Sequence, residues 1–282
     1  MTDQESIWMY DPSFPLAVVG AVVYGIIFLV ITYLTLIKYR AWYFIVVVIG
    51  SAIEVAAYNL RIHSVQNQSE ITPFVLTLTY TVLAPVLVAA GNYLLISRLI
   101  VAVLPPSRHR ILSIPGRRLT PIFVACDVIA FLIQGSGSGI ASSDNWQGEM
   151  ERIGVMVLIV GLVFQLVAFS LFLCVFRRFH VLAVRMAVEH APRGWQKVVL
   201  AVYISSILIM VRCIFRVVEF AGGRDTYAFN HEWLFWVFES LPMVGAIGIF
   251  CFYHPSRYLG RKDGRSESFA AGNSVELAEG CK

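Results

Sequence analysis

The sequence predicts an all-α integral membrane protein, a seven-transmembrane helix bundle with its N-terminus outside and its C-terminus in the cytosol. Three observations predict it. Hydrophobic residues fill 58% of the 282 positions and charged residues 14%, against about 25% charged in an ordinary soluble domain. Seven stretches are long and apolar enough to cross hydrocarbon, which takes about 20 residues as a helix. Lys and Arg are distributed between those stretches in strict alternation, rich then poor.

The seven spans are read at 16–37, 42–60, 74–96, 122–140, 153–176, 198–220 and 233–253. None alternates apolar with polar residues, as the strands of a membrane β-barrel do. Residues 1–15 form a short external N-terminus. They hold Asp3, Glu5 and Asp11 but no Lys or Arg, so the basic start of a secretory signal peptide is missing and the first span is expected to stay in the protein. Pro85 in the third span and Pro242 in the seventh mark kinks. The membrane domain runs over 16–258, and 259–282, rich in Gly, Ser and Glu, reads as a disordered cytosolic tail.

Orientation follows from the basic residues. The N-terminus has none; the six connections carry, in order, two, one, five, one, five and one, and the segment after the last span, 254–282, carries five. Placing the rich segments inside leaves seventeen basic residues in the cytosol and three outside. The sequon Asn67-Gln68-Ser69 then falls in an external connection, which makes Asn67 a glycosylation candidate. The third connection, with Pro105, Pro106, Arg108, Arg110, Arg117 and Arg118, is expected to lie on anionic headgroups. The net charge of +4 is therefore an orientation signal, and no nucleic acid partner is expected. Cys126, Cys174, Cys213 and Cys251 lie in apolar segments and Cys281 in the tail, so no structural disulfide is expected.

Ionisable groups at membrane depth are costly, and each marks a candidate site. The second span carries Glu54, the fourth Asp127 and Gln134, the sixth Arg212, Arg216 and Glu219, and the seventh Glu239; Asn92 lies in the third. Arg212, Arg216 and Glu219 stand at i, i+4 and i+7 and share one helix face, as do Glu54, Tyr58 and Arg61. In the predicted topology Glu54, Gln134, Arg212, Arg216, Glu219 and Glu239 lie in the outer half and form one candidate polar cavity opening outward. Asn92 and Asp127, nearer the cytosol, are secondary candidates, with Glu232 at the mouth of the seventh span. The same residues also read as clasps between helices. The run Gly135-Ser136-Gly137-Ser138-Gly139 permits close helix contact or local unwinding.

Four stretches carry a resemblance: "EVAAYNLR" from Glu54 to Arg61, "LAPVLVAAGNYLLISRLI" from Leu83 to Ile100, "FVACDVIAFLIQGSGSGI" from Phe123 to Ile140, and "VRCIFRVVEF…HEWLFWVFESLPM" followed by His254-Pro255. Over about residues 15–258 the chain resembles the fungal RTA-like family, the lipid-translocating exporter family of seven-span proteins. Ala57 stands where the family often has Gly, and Glu239 where it often has Asp. The resemblance implies export of sphingoid bases or related toxic amphiphiles, resistance to them, membrane lipids as partners, and a plasma-membrane or endomembrane address in a fungal cell.

Competing functions are weighed by their motifs. No Walker sequence is present, so ATP hydrolysis by this chain is not expected. The six histidines, His63, His109, His180, His190, His231 and His254, show no HxxxH or HExxH spacing, so neither a metal nor a catalytic zinc centre is expected, and no cofactor is implied. The seventh span has no Lys for a retinal Schiff base. The alternative to an exporter is a seven-helix lipid or stress sensor whose basic cytosolic loops dock an unidentified partner; a membrane-embedded enzyme ranks below both.

Overall fold

The structure, a computed structural model, describes residues 12–67, 71–104, 110–111, 114–142, 148–186, 194–223, 227 and 231–258. The N-terminal eleven residues, the tail from 259, Cys281, and Gln68 and Ser69 of the sequon lie outside the described residues. Seven helices are long and apolar enough to cross a membrane: α1 Phe14–Lys38, α2 Trp42–Gln66, α3 Thr72–Val103, α4 Arg118–Ala141, α5 Glu149–Arg185, α6 Trp195–Gly222 and α7 Glu232–Tyr258. The chain is an integral membrane protein.

Every predicted span is found, and most helices run past the predicted ends. α5 is the extreme, at 37 residues against the 24 of the apolar stretch. At 1.5 Å per residue it is about 55 Å long, well beyond the ~30 Å hydrocarbon layer. Its last turns, with Arg177, Arg178 and Arg185, are good helix formers that need no lipid. Hydropathy marks where lipid is; helix propensity and packing decide where the helix ends. In the connection between α3 and α4, β1 (Arg110–Ile111) pairs antiparallel with β2 (Ile114–Pro115), a small ribbon that hydropathy does not signal.

Neighbouring helices pack in sequence around a ring: α1 on α2, then each on the next, with α7 returning to α1. α3 also crosses the middle to meet α6. Two-thirds of its hydrophobic window, 67%, is buried, against 22% for α1. Val19, Val22, Ile26 and Leu29 of α1 accordingly face outward. Lipid tails are as apolar as Leu, so such a face adds nothing to helix association; close packing and polar contacts hold the bundle.

Two packing devices stand out. Phe169, Phe172, Phe176 and Phe179 form an aromatic stripe along α5, at i, i+3, i+7 and i+10, and Phe172 meets the Tyr93 ring of α3 edge-on at 4.6 Å between centroids. The second is the seam between α4 and α5. A Cβ on Gly154 would lie 2.4 Å from the Ala141 nitrogen, and one on Gly137 would lie 2.6 Å from the Leu158 nitrogen. The glycine run therefore serves close helix contact, and α4 continues through it without unwinding.

Candidate functional site

Three helices, α2, α6 and α7, bring five of the six principal candidates together. On α6 the i, i+4, i+7 face presents Arg212, Arg216 and Glu219 inward, all under 9% exposed. Arg216 Nη1 lies 3.1 Å from Glu219 Oε2 on its own helix, and Arg216 Nη2 lies 2.9 Å from Glu239 Oε1 of α7. Arg212 Nη2 donates to the same Glu239 oxygen at 3.1 Å. Glu54 of α2 faces Arg212 at 3.7 Å, from Oε1 to Nη1, beyond hydrogen-bond length. The fifth group, Glu239, is thus shared by two guanidiniums.

The backbone supplies further contacts. Pro85 sits inside α3; without an N–H it leaves the carbonyl four residues earlier, at Thr81, lacking a helical donor. Arg212 Nη2 donates to that carbonyl. In α7 the chain winds as a π-turn over Trp236–Ser240, just before Pro242, and this turn carries Glu239. A π-turn adds a residue without breaking the helix and often occurs at functional sites. The Ser240 carbonyl accepts a hydrogen bond from Tyr24 Oη of α1 at 2.8 Å.

The cluster is closed. Glu54 and Glu239 are each 1% exposed, so the predicted outward-open cavity is, in this structure, a set of charges paired with one another. Toward the face of the bundle where α1 begins and α2 ends, aromatic rings cover it. Tyr58 stacks on Tyr24 at 4.8 Å and tilts against Trp236 at 5.7 Å. Above them Arg61 pairs with Glu232 at 3.0 Å and lies 4.3 Å over the Phe235 ring. Glu232 also accepts from Trp236 Nε1 at 3.2 Å and from the Ser13 N–H at the start of α1 at 2.9 Å. This secondary candidate ties α1, α2 and α7 together.

The other candidates lie elsewhere. Gln134 does not join the charges: its amide donates to Gln165 of α5 at 2.9 Å, a polar clasp at one end of the glycine seam. Asn92 donates to Ser205 and Ser206 of α6 at 3.1 and 3.3 Å. Asp127 Oδ2 accepts from Tyr93 Oη at 2.8 Å. No group of three or more metal-ligating side chains occurs among the described residues. Sequence reasoning missed Thr81, whose signal was the proline four residues on, and Gln165, Tyr24 and Trp236, whose partners come from distant helices.

The RTA1 like protein family matches residues 47–262, a stretch that includes α3–α6, all but the first turn of α2, and the whole described part of α7. Protein RTM1 of Saccharomyces cerevisiae is 34% identical over 73% of this chain. Probable lipid transporter atnI of Emericella nidulans is 30% identical over 90% of this chain and 68% of its own length. Sphingoid long-chain base transporter RSB1 of Saccharomyces cerevisiae is 24% identical over 86% of this chain and 72% of its own. The chain spans 65% of the length of RTM1, just under two thirds. No solved structure matches.

Proposed function

This chain belongs to the RTA1-like family, and on that premise we propose that it moves long-chain amino-alcohol amphiphiles, sphingoid bases and related toxic lipids, across the bilayer without altering them chemically. The observation that carries this reading is the stretched pair between Glu54 and Arg212. Two arginines stand against three glutamates, so one carboxylate charge in the cluster is uncompensated. Glu239 and Glu219 have guanidinium nitrogens within 3.1 Å. Glu54 Oε1 and Arg212 Nη1, 3.7 Å apart, make no hydrogen bond. An acceptor and a donor, both buried and both unsatisfied, stand side by side.

A headgroup with an ammonium next to a hydroxyl complements that pair. The ammonium donates to Glu54, and the neighbouring hydroxyl oxygen accepts from Arg212. An anionic headgroup would instead add a second negative charge to a cluster in which one carboxylate is already uncompensated. Attraction at 4 Å is about 4 kcal/mol at an effective dielectric near 20. Desolvation offsets much of it, leaving about 1–2 kcal/mol, roughly tenfold in affinity. The names of two relatives, a sphingoid base transporter and a probable lipid transporter, support the same class.

In this reading the structure is an occluded state. Tyr24, Tyr58, Trp236 and the Arg61–Glu232 pair close the face that the basic-residue count places outside, and release requires them to part. Resistance to the transported amphiphile and a plasma-membrane or endomembrane address belong to the same proposal. The test uses purified protein in liposomes, with a fluorescent long-chain base and its N-acylated, uncharged analogue. Glu54→Gln is expected to slow movement of the base about tenfold and to spare the analogue. Equal loss for both lipids assigns Glu54 a structural role. Binding without movement, in liposomes that hold no other protein, favours the sensor.

A further inference from the structure

We propose that Asp127, held by Tyr93, is a proton-binding site through which lipid movement draws on a proton gradient; this rests on the transport reading above. The carboxylates of the main cluster each face an arginine. Asp127 does not. It is 1% exposed, its Oδ2 accepts from Tyr93, and its Oδ1 makes no hydrogen bond. Among the described residues no Lys, Arg or His forms an ion pair with it.

Among the described residues the surroundings offer no substitute cation. The Tyr93 ring that meets Asp127 is itself enclosed by Phe123 of α4 at 5.4 Å and by Phe169 and Phe172 of α5 at 6.2 and 4.6 Å. The other ionisable groups around the Asp127–Tyr93 pair are the Cys126 thiol, adjacent to Asp127 on α4, and the Cys213 thiol on α6. Arg212, next to Cys213 in the chain, turns its guanidinium to the Thr81 carbonyl and Glu239. A bare carboxylate in such a place is costly, and the cost disappears when it is neutralised. A proton is the ligand that neutralises it with no added volume: it binds one oxygen while the Tyr93 hydroxyl serves the other.

α3 connects this site to the charge cluster. It presents Tyr93 to Asp127, Asn92 to Ser205 and Ser206 of α6, and the Thr81 carbonyl to Arg212. Thr81 and Tyr93 are twelve residues apart, about 18 Å along the helix. Loss of the proton leaves a negative charge that the aromatic wall does not solvate, so the helices around it must shift. Because α3 is the most buried helix, a shift at Tyr93 is carried to the Thr81–Arg212–Glu54 contact.

Two measurements test this. Infrared difference spectra of purified protein at neutral pH, wild type minus Asp127→Asn, are expected to show the carbonyl stretch of a protonated carboxyl, shifted in heavy water; a spectrum showing only ionised carboxylate overturns the proposal. In liposomes, the initial rate for a fluorescent long-chain base, corrected for protein-free vesicles, is expected to rise several-fold with an imposed proton gradient. Asp127→Asn should move the base at one rate with or without the gradient, and a gradient response retained by that variant overturns the coupling. Glu54→Gln should slow the base at every gradient while keeping its response, which separates the proton site from the lipid site. If the wild type moves no base under any condition, the transport reading fails, and with it the coupling, while the infrared band still decides whether Asp127 holds a proton. If Asp127→Asn does not fold, Tyr93→Phe replaces it: losing the hydroxyl donor should change the pH at which the protonated band disappears, and an unmoved transition counts against the pairing.

Discussion

Arg212 donates to the carbonyl of Thr81, the one that Pro85 leaves without a donor inside α3. A defect in one helix is thus filled by a charge from another. A hydrogen bond to a charged group contributes about 1.5–3 kcal/mol, enough to offset much of the ~3 kcal/mol that an interior proline costs. The two features should therefore be coupled. In a double-mutant cycle of Pro85→Ala and Arg212→Lys, followed by unfolding in detergent, the coupling energy is expected to be on the order of 1 kcal/mol or more. Strict additivity would separate the proline from the arginine.

The glutamates should not be equivalent in stability. Glu239 Oε1 meets both arginines, at 3.1 and 2.9 Å. Removing its charge leaves two buried guanidiniums short of a partner, which costs about 3–5 kcal/mol. Glu54 has only the 3.7 Å approach to Arg212. Glu54→Gln is expected to cost well under half as much as Glu239→Gln in the same detergent unfolding assay. Equal losses would mean that Glu54 is held as firmly as Glu239, and the argument for an exchangeable headgroup site would fall with that difference.

Much of this was legible in the chain, for physical reasons that can be named. Hydrocarbon imposes a length and an apolar composition, so the seven spans were readable directly. Helical spacing put Arg212, Arg216 and Glu219 on one face, and the high cost of isolated charges made their pairing with Glu54 and Glu239 expected. Gln134 was different. It shares their depth in the bundle, but depth does not fix azimuth, and a neutral amide on the α4 face toward α5 is satisfied by Gln165 alone. The closure over the cluster was also hidden, because Tyr24, Tyr58 and Trp236 come from three helices and no periodicity within one helix reveals their meeting.

The α4–α5 seam gives a prediction with an internal control. Any side chain on Gly137 or Gly154 runs into backbone atoms of the facing helix, at 2.6 and 2.4 Å from the nearest nitrogens. Gly139, on the same run, has open space around its missing Cβ. Gly154→Leu and Gly137→Leu are expected to push the helices apart, expose the Gln134–Gln165 clasp and lower the unfolding midpoint sharply. Gly139→Ala should match the wild type or slightly exceed it, since Ala is favoured over Gly in a helix by up to about 1 kcal/mol. If Gly139→Ala were as damaging as the other two, the run would matter through flexibility rather than contact.

The Arg61–Glu232 pair predicts how the closed face opens. Arg61 is held by Glu232 and by the Phe235 ring, and Glu232 also holds the first N–H before α1. Glu232→Gln keeps the shape but removes the charge, so the rings beneath should part more often. The expected result is faster quenching of Trp236 fluorescence by a water-soluble quencher, read against a Trp236→Phe control. Unchanged quenching would show that Tyr24, Tyr58 and Trp236 close the face without the ion pair.

Orientation gives the last prediction. Seventeen basic residues fall on one side of the spans and three on the other, and moving so many across the bilayer opposes the usual bias. Asn67 caps the end of α2 and is exposed, on the same face as Arg61 and Glu232. It should therefore be outside. Two independent measurements check it. Endoglycosidase treatment should increase the mobility of the expressed protein and leave Asn67→Gln unchanged. Asn67→Cys should react with a membrane-impermeant maleimide on intact cells, while Cys281 in the tail reacts only after permeabilisation. The thiols of Cys126, Cys174, Cys213 and Cys251 lie within spanning helices and supply little background. Labelling of Cys281 on intact cells, with position 67 protected, would invert the topology and turn the Tyr24–Tyr58–Trp236 closure toward the cytosol.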